Sequence, residues 1–213
     1  NMHDSLKSTA QLTVFSEVDV TKLTAFRELV RREYAHDETV KISFNDIFIL
    51  VTSRTLKRYP IMNTTLIDNE IILHDTVNMG IAVAIADGLI VPVLKNADKK
   101  GLLEIAMETR ELIRNAREGN LSVDQVTDGT FTVTNLSMFG IDGITPILRP
   151  PETGILGFCR IKPTPSVYNG NVAIRSMMTV CLTFDHRVVD GAPASDFLQT
   201  LGRCLEEPAL ILT

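Results

Sequence analysis

The sequence predicts a mixed α/β domain. Strand patterns that double back at Asp68-Asn69 and Asn169-Gly170 supply hairpins, and residues 101–117 supply a long amphipathic helix. No glycine-rich phosphate loop opens a helix anywhere, so a P-loop or doubly wound nucleotide-binding arrangement has little support.

Taken in order, Leu12 to Val18 alternates in part and reads as a strand. Asp19 is placed to cap a helix from about Val20, in which Leu23, Phe26, Leu29 and Val30 recur at helical spacing. A second helix starts near Ser43 or Asn45, turns Ile47, Phe48, Val51 and Leu56 toward a core, and stops before Pro60. Met62 to Leu73 gives two short strands about the Asp68-Asn69 turn. Two apolar runs, 80–86 and 89–94, then meet at Asp87-Gly88. Pro92 has no N–H to donate, so the second run needs an unpaired side or a bulge. The helix at 101–117 places Leu102, Ile105, Ala106, Thr109, Leu112, Ile113 and Ala116 on one face and stops at Glu118-Gly119-Asn120.

The last part returns to strands. Thr130 to Thr134 alternates strictly, 154–161 is mainly apolar, and Val167 to Ile174 folds back around Asn169-Gly170. An apolar run over 177–184 follows, then a helix that packs Phe197, Leu198, Leu201 and Leu205. Residues 140–151, with Gly143, Pro146, Pro150 and Pro151, form a stiff irregular connection that suits a pocket wall or a subunit contact.

At 213 residues and 45% apolar content, the chain can bury one substantial core. A net charge of -5, with no polybasic run and no zinc-finger spacing, argues against nucleic-acid binding. No transmembrane stretch or secretory leader is visible, and the start of the sequence leaves room for modules upstream. Cys159, Cys181 and Cys204 are odd in number and far apart, the pattern of reduced core thiols in an intracellular protein.

The chemistry concentrates in Asp185-His186-Arg187-Val188-Val189-Asp190-Gly191, which follows a buried-strand pattern and precedes a helix. A histidine there, with carboxylates on both sides, suits proton transfer near neutral pH. Gly191 allows tight backbone at the helix start. Asp185 and Asp190 are each able to orient the imidazole, balance Arg187 or cap locally. His3, His36 and His74 lack such a setting and read as ordinary packed or surface histidines. Cys181 is a poor candidate nucleophile inside a regular strand, and with His186 alone it makes no metal site. Thr134 ends a strand, where its hydroxyl either donates to a developing oxyanion or simply suits the strand.

These residues resemble the C-terminal catalytic domain of the dihydrolipoamide acyltransferases, the E2 components of 2-oxo acid dehydrogenase complexes. The resemblance spans Glu17 to Thr21, Asn78 to Leu94, Gly129 to Leu136, Pro150-Pro151-Glu152 to Gly157, and the motif from Asp185 to Gly191. It departs at Ala10-Gln11, where relatives often carry Pro-His.

The resemblance implies a chloramphenicol-acetyltransferase-like two-layer α/β fold with a mixed sheet, one catalytic domain over 1–213, and trimers built into a larger core. It also implies an active site between subunits. His186 would be the base for the coenzyme A thiol, Thr134 from the neighbouring subunit would stabilise the oxyanion, and Asp190 would support the site. Asp185 and Arg187 would be structural. Coenzyme A would be a substrate, the lipoyl group would arrive on a separate domain, and no metal would be needed. E1 and E3 enzymes would bind through other domains, with no nucleic acid or membrane involved. The compartment would be the cytoplasm, or the mitochondrial matrix in a eukaryote. Acetyl transfer, as in a pyruvate dehydrogenase complex, ranks first and branched-chain acyl transfer second. A diffusible acyl acceptor and a silent scaffold are the competing functions, and retention of His186 argues against the scaffold.

Overall fold

A computed structural model of the chain describes residues 2–37, 40–86 and 88–212. The expected Asp87-Gly88 junction lies partly outside them. The first element, helix α1 (Met2–Ser8), carries no strong sequence signal. Strand β1 (Gln11–Asp19) runs one residue past the expected end. Helix α2 (Thr21–Glu33) follows, and Asp19 Oδ1 accepts from the Thr21 N–H and hydroxyl, so Asp19 ties down the helix start from two residues upstream.

Helix α3 (Phe44–Arg58) begins at a capping box: Ser43 Oγ accepts from the Asp46 N–H while Asp46 Oδ2 accepts from the Ser43 N–H. Strands β2 (Thr64–Ile67) and β3 (Glu70–Leu73) form the expected hairpin, with Asp68 and Asn69 both at positive φ, as its tight turn requires.

The two apolar runs divide further than the sequence suggests. The first yields β4 (Met79–Ile81) and β5 (Val83–Ile85), the second β6 (Gly88–Ile90) and β7 (Val93–Leu94). β5 and β6 pair in a ribbon of their own, while β4 and β7 join the main sheet. Pro92 sits at the break, where its carbonyl accepts from the Ile81 N–H at 2.8 Å. Helix α4 (Leu102–Glu118) ends at Gly119 in the left-handed region.

Strand β8 (Phe131–Asn135) is followed by two 15-residue strands, β9 (Gly154–Tyr168) and β10 (Asn171–Asp185), and then by α5 (Gly191–Glu206). The three strand segments expected here are thus fused into one long hairpin about Asn169-Gly170. Pro163 and Pro165 lie in its outer half, where β9 has a partner on one side only.

The main sheet has the order β1-β10-β9-β8-β4-β7 and is mixed: β8 runs parallel to β4 and β9, and the other pairings are antiparallel. Alternation sends Phe131, Val133, Leu156, Phe158, Val180 and Leu182 to one face, where the helices bury them. Phe48 of α3 stacks on Phe158 with ring centroids 4.1 Å apart. The opposite face carries Thr13, Phe15, Thr132, Thr134, Ile155, Gly157, Cys181 and Thr183, whose register is marked by the 2.7 Å hydroxyl contact of Thr13 with Thr183.

The connection at 140–151 covers that second face. Ile141 accepts from the Arg160 N–H, Ile144 lies over Gly157, and the Leu148 N–H donates to Gln11 Oε1. Its residues Ile147 to Pro150 form one wall of a cavity of about 670 Å³, together with Met2, Leu89, Val91 and Thr132. No helix among the described residues is long and apolar enough to cross a membrane.

Candidate functional site

His186 stands where β10 leaves the sheet. Its backbone N–H donates to the Ala10 carbonyl at 2.8 Å, which ties the turn to the start of β1. The imidazole is about half exposed, its ring centroid 5.8 Å from that of Phe184. Nδ1 lies 3.8 Å from Asp190 Oδ1, beyond hydrogen-bond distance but close enough for charge–charge attraction once the ring is protonated.

The two carboxylates of the motif do different work. Asp185 is buried and accepts from the N–H groups of Ala10 and Arg187 and from the Arg187 guanidinium. Burial alone would raise its pKa, but those donors outweigh it and hold the carboxyl below its usual range. Asp185 and Arg187 thus lock the turn. Asp190 is exposed and stands at the N-cap of α5 without a side-chain capping bond. Gly191 is not required by tight packing: a Cβ there would meet nothing within 4 Å.

Thr134 is half-buried near the end of β8, opposite Gly157 of β9, which is itself opposite Cys181 of β10. Two strand spacings (about 10 Å) and the run from Cys181 to Asp185 (about 13 Å) separate the Thr134 backbone from the His186 turn by about 17 Å. Side chains do not close that gap, so one chain does not bring the two groups onto one reacting carbonyl.

Another threonine–histidine contact does form within the chain. Thr65 Oγ1 and His74 Nε2 lie 2.9 Å apart across the β2–β3 hairpin, and burial lowers the His74 pKa. Acyl-transfer chemistry is compatible with such a pair, although Thr65 is 4% exposed.

The three cysteines are free and buried. Cys181 is fully enclosed, with its sulfur 3.7 Å from that of Cys159, which disfavours it as a nucleophile. Burial, then the neighbouring Cys181, pushes the Cys159 thiol up to about 12. No cluster of three or more His, Cys, Asp or Glu side chains suited to a metal occurs among the described residues.

Sequence reasoning missed Glu152. It is 3% exposed, accepts from Thr132 Oγ1 and Arg149 Nη1, and is raised to about 7 by burial against the lowering effect of both donors. Thr132 and Arg149 line the cavity described above. Only the tertiary fold joins these residues to Glu152, and the one local hint is the spacing of Arg149 and Glu152.

The whole chain, residues 1–213, matches the family described as 2-oxoacid dehydrogenases acyltransferase (catalytic domain). It is 39% identical over 99% of its length to the dihydrolipoyllysine-residue acetyltransferase component of the acetoin cleaving system of Bacillus subtilis, covering 53% of that protein. It is 36% identical over 98% of its length to the Haemophilus influenzae succinyltransferase component of the 2-oxoglutarate dehydrogenase complex, covering 51% of it. The chain spans about half the length of these curated relatives.

Among solved structures, the Azotobacter vinelandii dihydrolipoamide acetyltransferase superposes with a TM-score of 0.95 at 35% identity, covering 100% of this chain and 88% of that one. A chloramphenicol acetyltransferase aligns at a TM-score of 0.61 and 17% identity over 96% of this chain and 95% of its own, a likeness of fold. With its two-layer architecture, its mixed sheet and a family match over every residue, the chain belongs to the catalytic core domains of the dihydrolipoamide acyltransferases, the E2 components of 2-oxo acid dehydrogenase complexes.

Proposed function

We propose that this domain transfers an acyl group between coenzyme A and the dihydrolipoyl arm of a separate lipoyl domain, with His186, Thr134 and Asp190 as its working residues. Acetyl is the first choice of acyl group and a branched-chain group the second. His186 accepts the proton of the coenzyme A thiol, whose pKa near 8.5 leaves it mostly protonated at pH 7. The sulfur attacks the acyl thioester, and Thr134 donates a hydrogen bond to the tetrahedral oxyanion, worth about 3 kcal/mol by analogy with other single donors. Collapse expels the dihydrolipoyl thiolate, which recovers the proton from His186. Asp190 stabilises the imidazolium through the 3.8 Å approach to Nδ1, weakly because it is exposed.

One observation carries this assignment of residues. The Azotobacter study concerns a serine, a histidine and an asparagine in the catalytic mechanism, the histidine 52 residues after the serine and the asparagine four further on. Thr134, His186 and Asp190 stand at the same spacing. The separation of Thr134 from His186 within one chain then calls for two copies, which suits a homotrimer built into a larger core. Phe15, on the β1 part of the sheet face free of helices, is 53% exposed and available for such a contact. Lipoyl domains and the E1 and E3 enzymes are the partners proposed for the longer protein, in the cytoplasm or the mitochondrial matrix.

Coenzyme A-dependent transfer to dihydrolipoamide tests the reading with Thr134→Ala and His186→Ala proteins. Each alone should be nearly inactive. Trimers reassembled from an equal mixture should regain roughly a quarter of wild-type activity, because random assortment restores that share of intact interfaces. No recovery in properly mixed trimers would refute a site divided between subunits.

The hydrogen bond between Thr65 and His74 favours a second reading, in which that pair is catalytic. A His74→Ala protein that loses activity while His186→Ala keeps it would establish this alternative.

A further inference from the structure

The proposed mechanism gives no part to Glu152, although this buried side chain stands between the two groups that one chain brings to acyl transfer. We infer that Glu152 is a positioning residue for the reaction: it holds the Thr134 and His186 ends of one chain in fixed relation and so serves both half-sites. The inference rests on the division of Thr134 and His186 between subunits, by which the two ends of one chain belong to two different sites.

Residues 151–153 join the elements behind those ends. The Pro151 carbonyl accepts from the Leu66 N–H at 2.9 Å, the Thr153 N–H donates to the Thr64 carbonyl at 3.3 Å, and the Thr64 and Thr153 hydroxyls lie 2.6 Å apart. Strand β2 thus grips the segment along one side. On the other, the Thr153 carbonyl accepts from the N–H of Asp185, the residue before His186, at 3.0 Å.

The Glu152 side chain carries the connection on to β8. Its Oε2 accepts from Thr132 Oγ1, two residues before Thr134 and on the same face, about 7 Å along the strand. A Cβ on Gly80, opposite Thr132 on β4, would fall 2.5 Å from that hydroxyl oxygen, so Thr132 has little room to turn toward another acceptor. Oε1 accepts from Arg149 Nη1 at 3.2 Å, and Arg149 Nη2 donates to the Val126 carbonyl at 2.6 Å, which fixes the carboxylate from a third direction. Removing the carboxylate leaves the buried Thr132 hydroxyl without an acceptor and frees β8 from the segment under the His186 turn. Catalytic geometry tolerates little freedom: misplacement by about 1 Å, caused far from the chemistry, costs on the order of 100-fold.

The test measures coenzyme A-dependent transfer to dihydrolipoamide by assembled Glu152→Ala and Glu152→Gln proteins. Alanine should lower kcat about tenfold with both KM values within about twofold of wild type, and glutamine, which keeps an oxygen for Thr132, should restore most of the loss. Mixed trimers of Thr134→Ala and His186→Ala chains then separate the two ends, because each working site takes Thr134 from one chain and His186 from the other. Glu152→Ala added to either chain should lower the recovered rate about threefold. If the alanine protein fails to assemble, Thr132→Val, which cuts the same bond and keeps the side-chain shape, takes its place in both experiments. An unchanged kcat, a rise in KM alone, a glutamine protein as slow as the alanine one, or a loss confined to one of the two mixtures overturns the role of Glu152. Mixed trimers that regain no activity even with Glu152 intact overturn the divided site and this inference with it.

Discussion

Replacing Glu152 by glutamine should change how the stability of this domain depends on pH. The carboxyl is 3% exposed and lies between Thr132 and Arg149, with so little room that a Cβ on Gly129 would come 2.4 Å from Glu152 Oε1. Burial raises its pKa from 4.5 to about 7, and Thr132 and Arg149 offset only part of the rise. The folded protein thus holds this proton to a higher pH than the unfolded chain does. The contribution of Glu152 to stability is greatest below about pH 4.5 and declines as pH rises to about 7, with a total change of about 3 kcal/mol. Glutamine is neutral throughout and keeps an oxygen for Thr132. Urea denaturation of both proteins between pH 5 and pH 8, at one protein concentration, isolates the effect. Wild-type stability should fall by about 2.5 kcal/mol relative to Glu152→Gln across that window, the rest of the change lying below pH 5. A difference between the two proteins that stays constant across the pH range would refute the argument.

Three other substitutions probe other parts of the structure. Asp185→Asn keeps one oxygen for the Ala10 and Arg187 N–H groups but removes the charge and the oxygen that accepts from Arg187 Nη2, and should lower kcat about tenfold by loosening the turn under His186, with KM little changed. The same change should reduce acid sensitivity, because a carboxyl held below its usual range contributes stability that is lost as pH falls through that lowered value; a fully active variant with an unaltered acid limb would contradict both points. Gly154→Ala puts a Cβ 2.4 Å from Cε2 of the buried Phe131 ring, and calorimetry should show a loss of about 1–3 kcal/mol; an unchanged Tm would mean the ring yields freely. Phe48→Ala removes the ring stacked on Phe158 and should cost about 3–5 kcal/mol in denaturant titrations; a loss below about 1 kcal/mol would show that the surrounding core collapses into the space.

What the sequence made legible was set by local chemistry. Ser43 with Asp46 starts a helix through its own hydrogen bonds, Gly119 ends one through its positive φ, and Asp68-Asn69 turns a hairpin without help from distant residues. The segment from Asp185 to Gly191 stood out for the same reason. Where pairing partners decide the outcome, the pattern was insufficient. Apolar runs such as 80–86 read alike whether they form one strand or two in different sheets, and three expected segments fused because Pro163 and Pro165 are tolerated on a one-sided ribbon. The bond between Thr132 and Glu152 spans 20 residues, and the bond between Leu148 and Gln11 spans 137. The distance from Thr134 to His186 likewise follows from strand order, which no motif encodes.

That distance has a consequence for how the protein behaves in a cell. Under the proposed division of Thr134 and His186 between subunits, a newly made chain would carry each half of the chemistry but no complete centre, so thioesters would be safe from it until it finds its neighbours. Specific activity should then follow mass action, falling on dilution and returning on concentration. Association itself would act as the on-switch, and any agent that separates subunits would silence turnover without touching a reactive group.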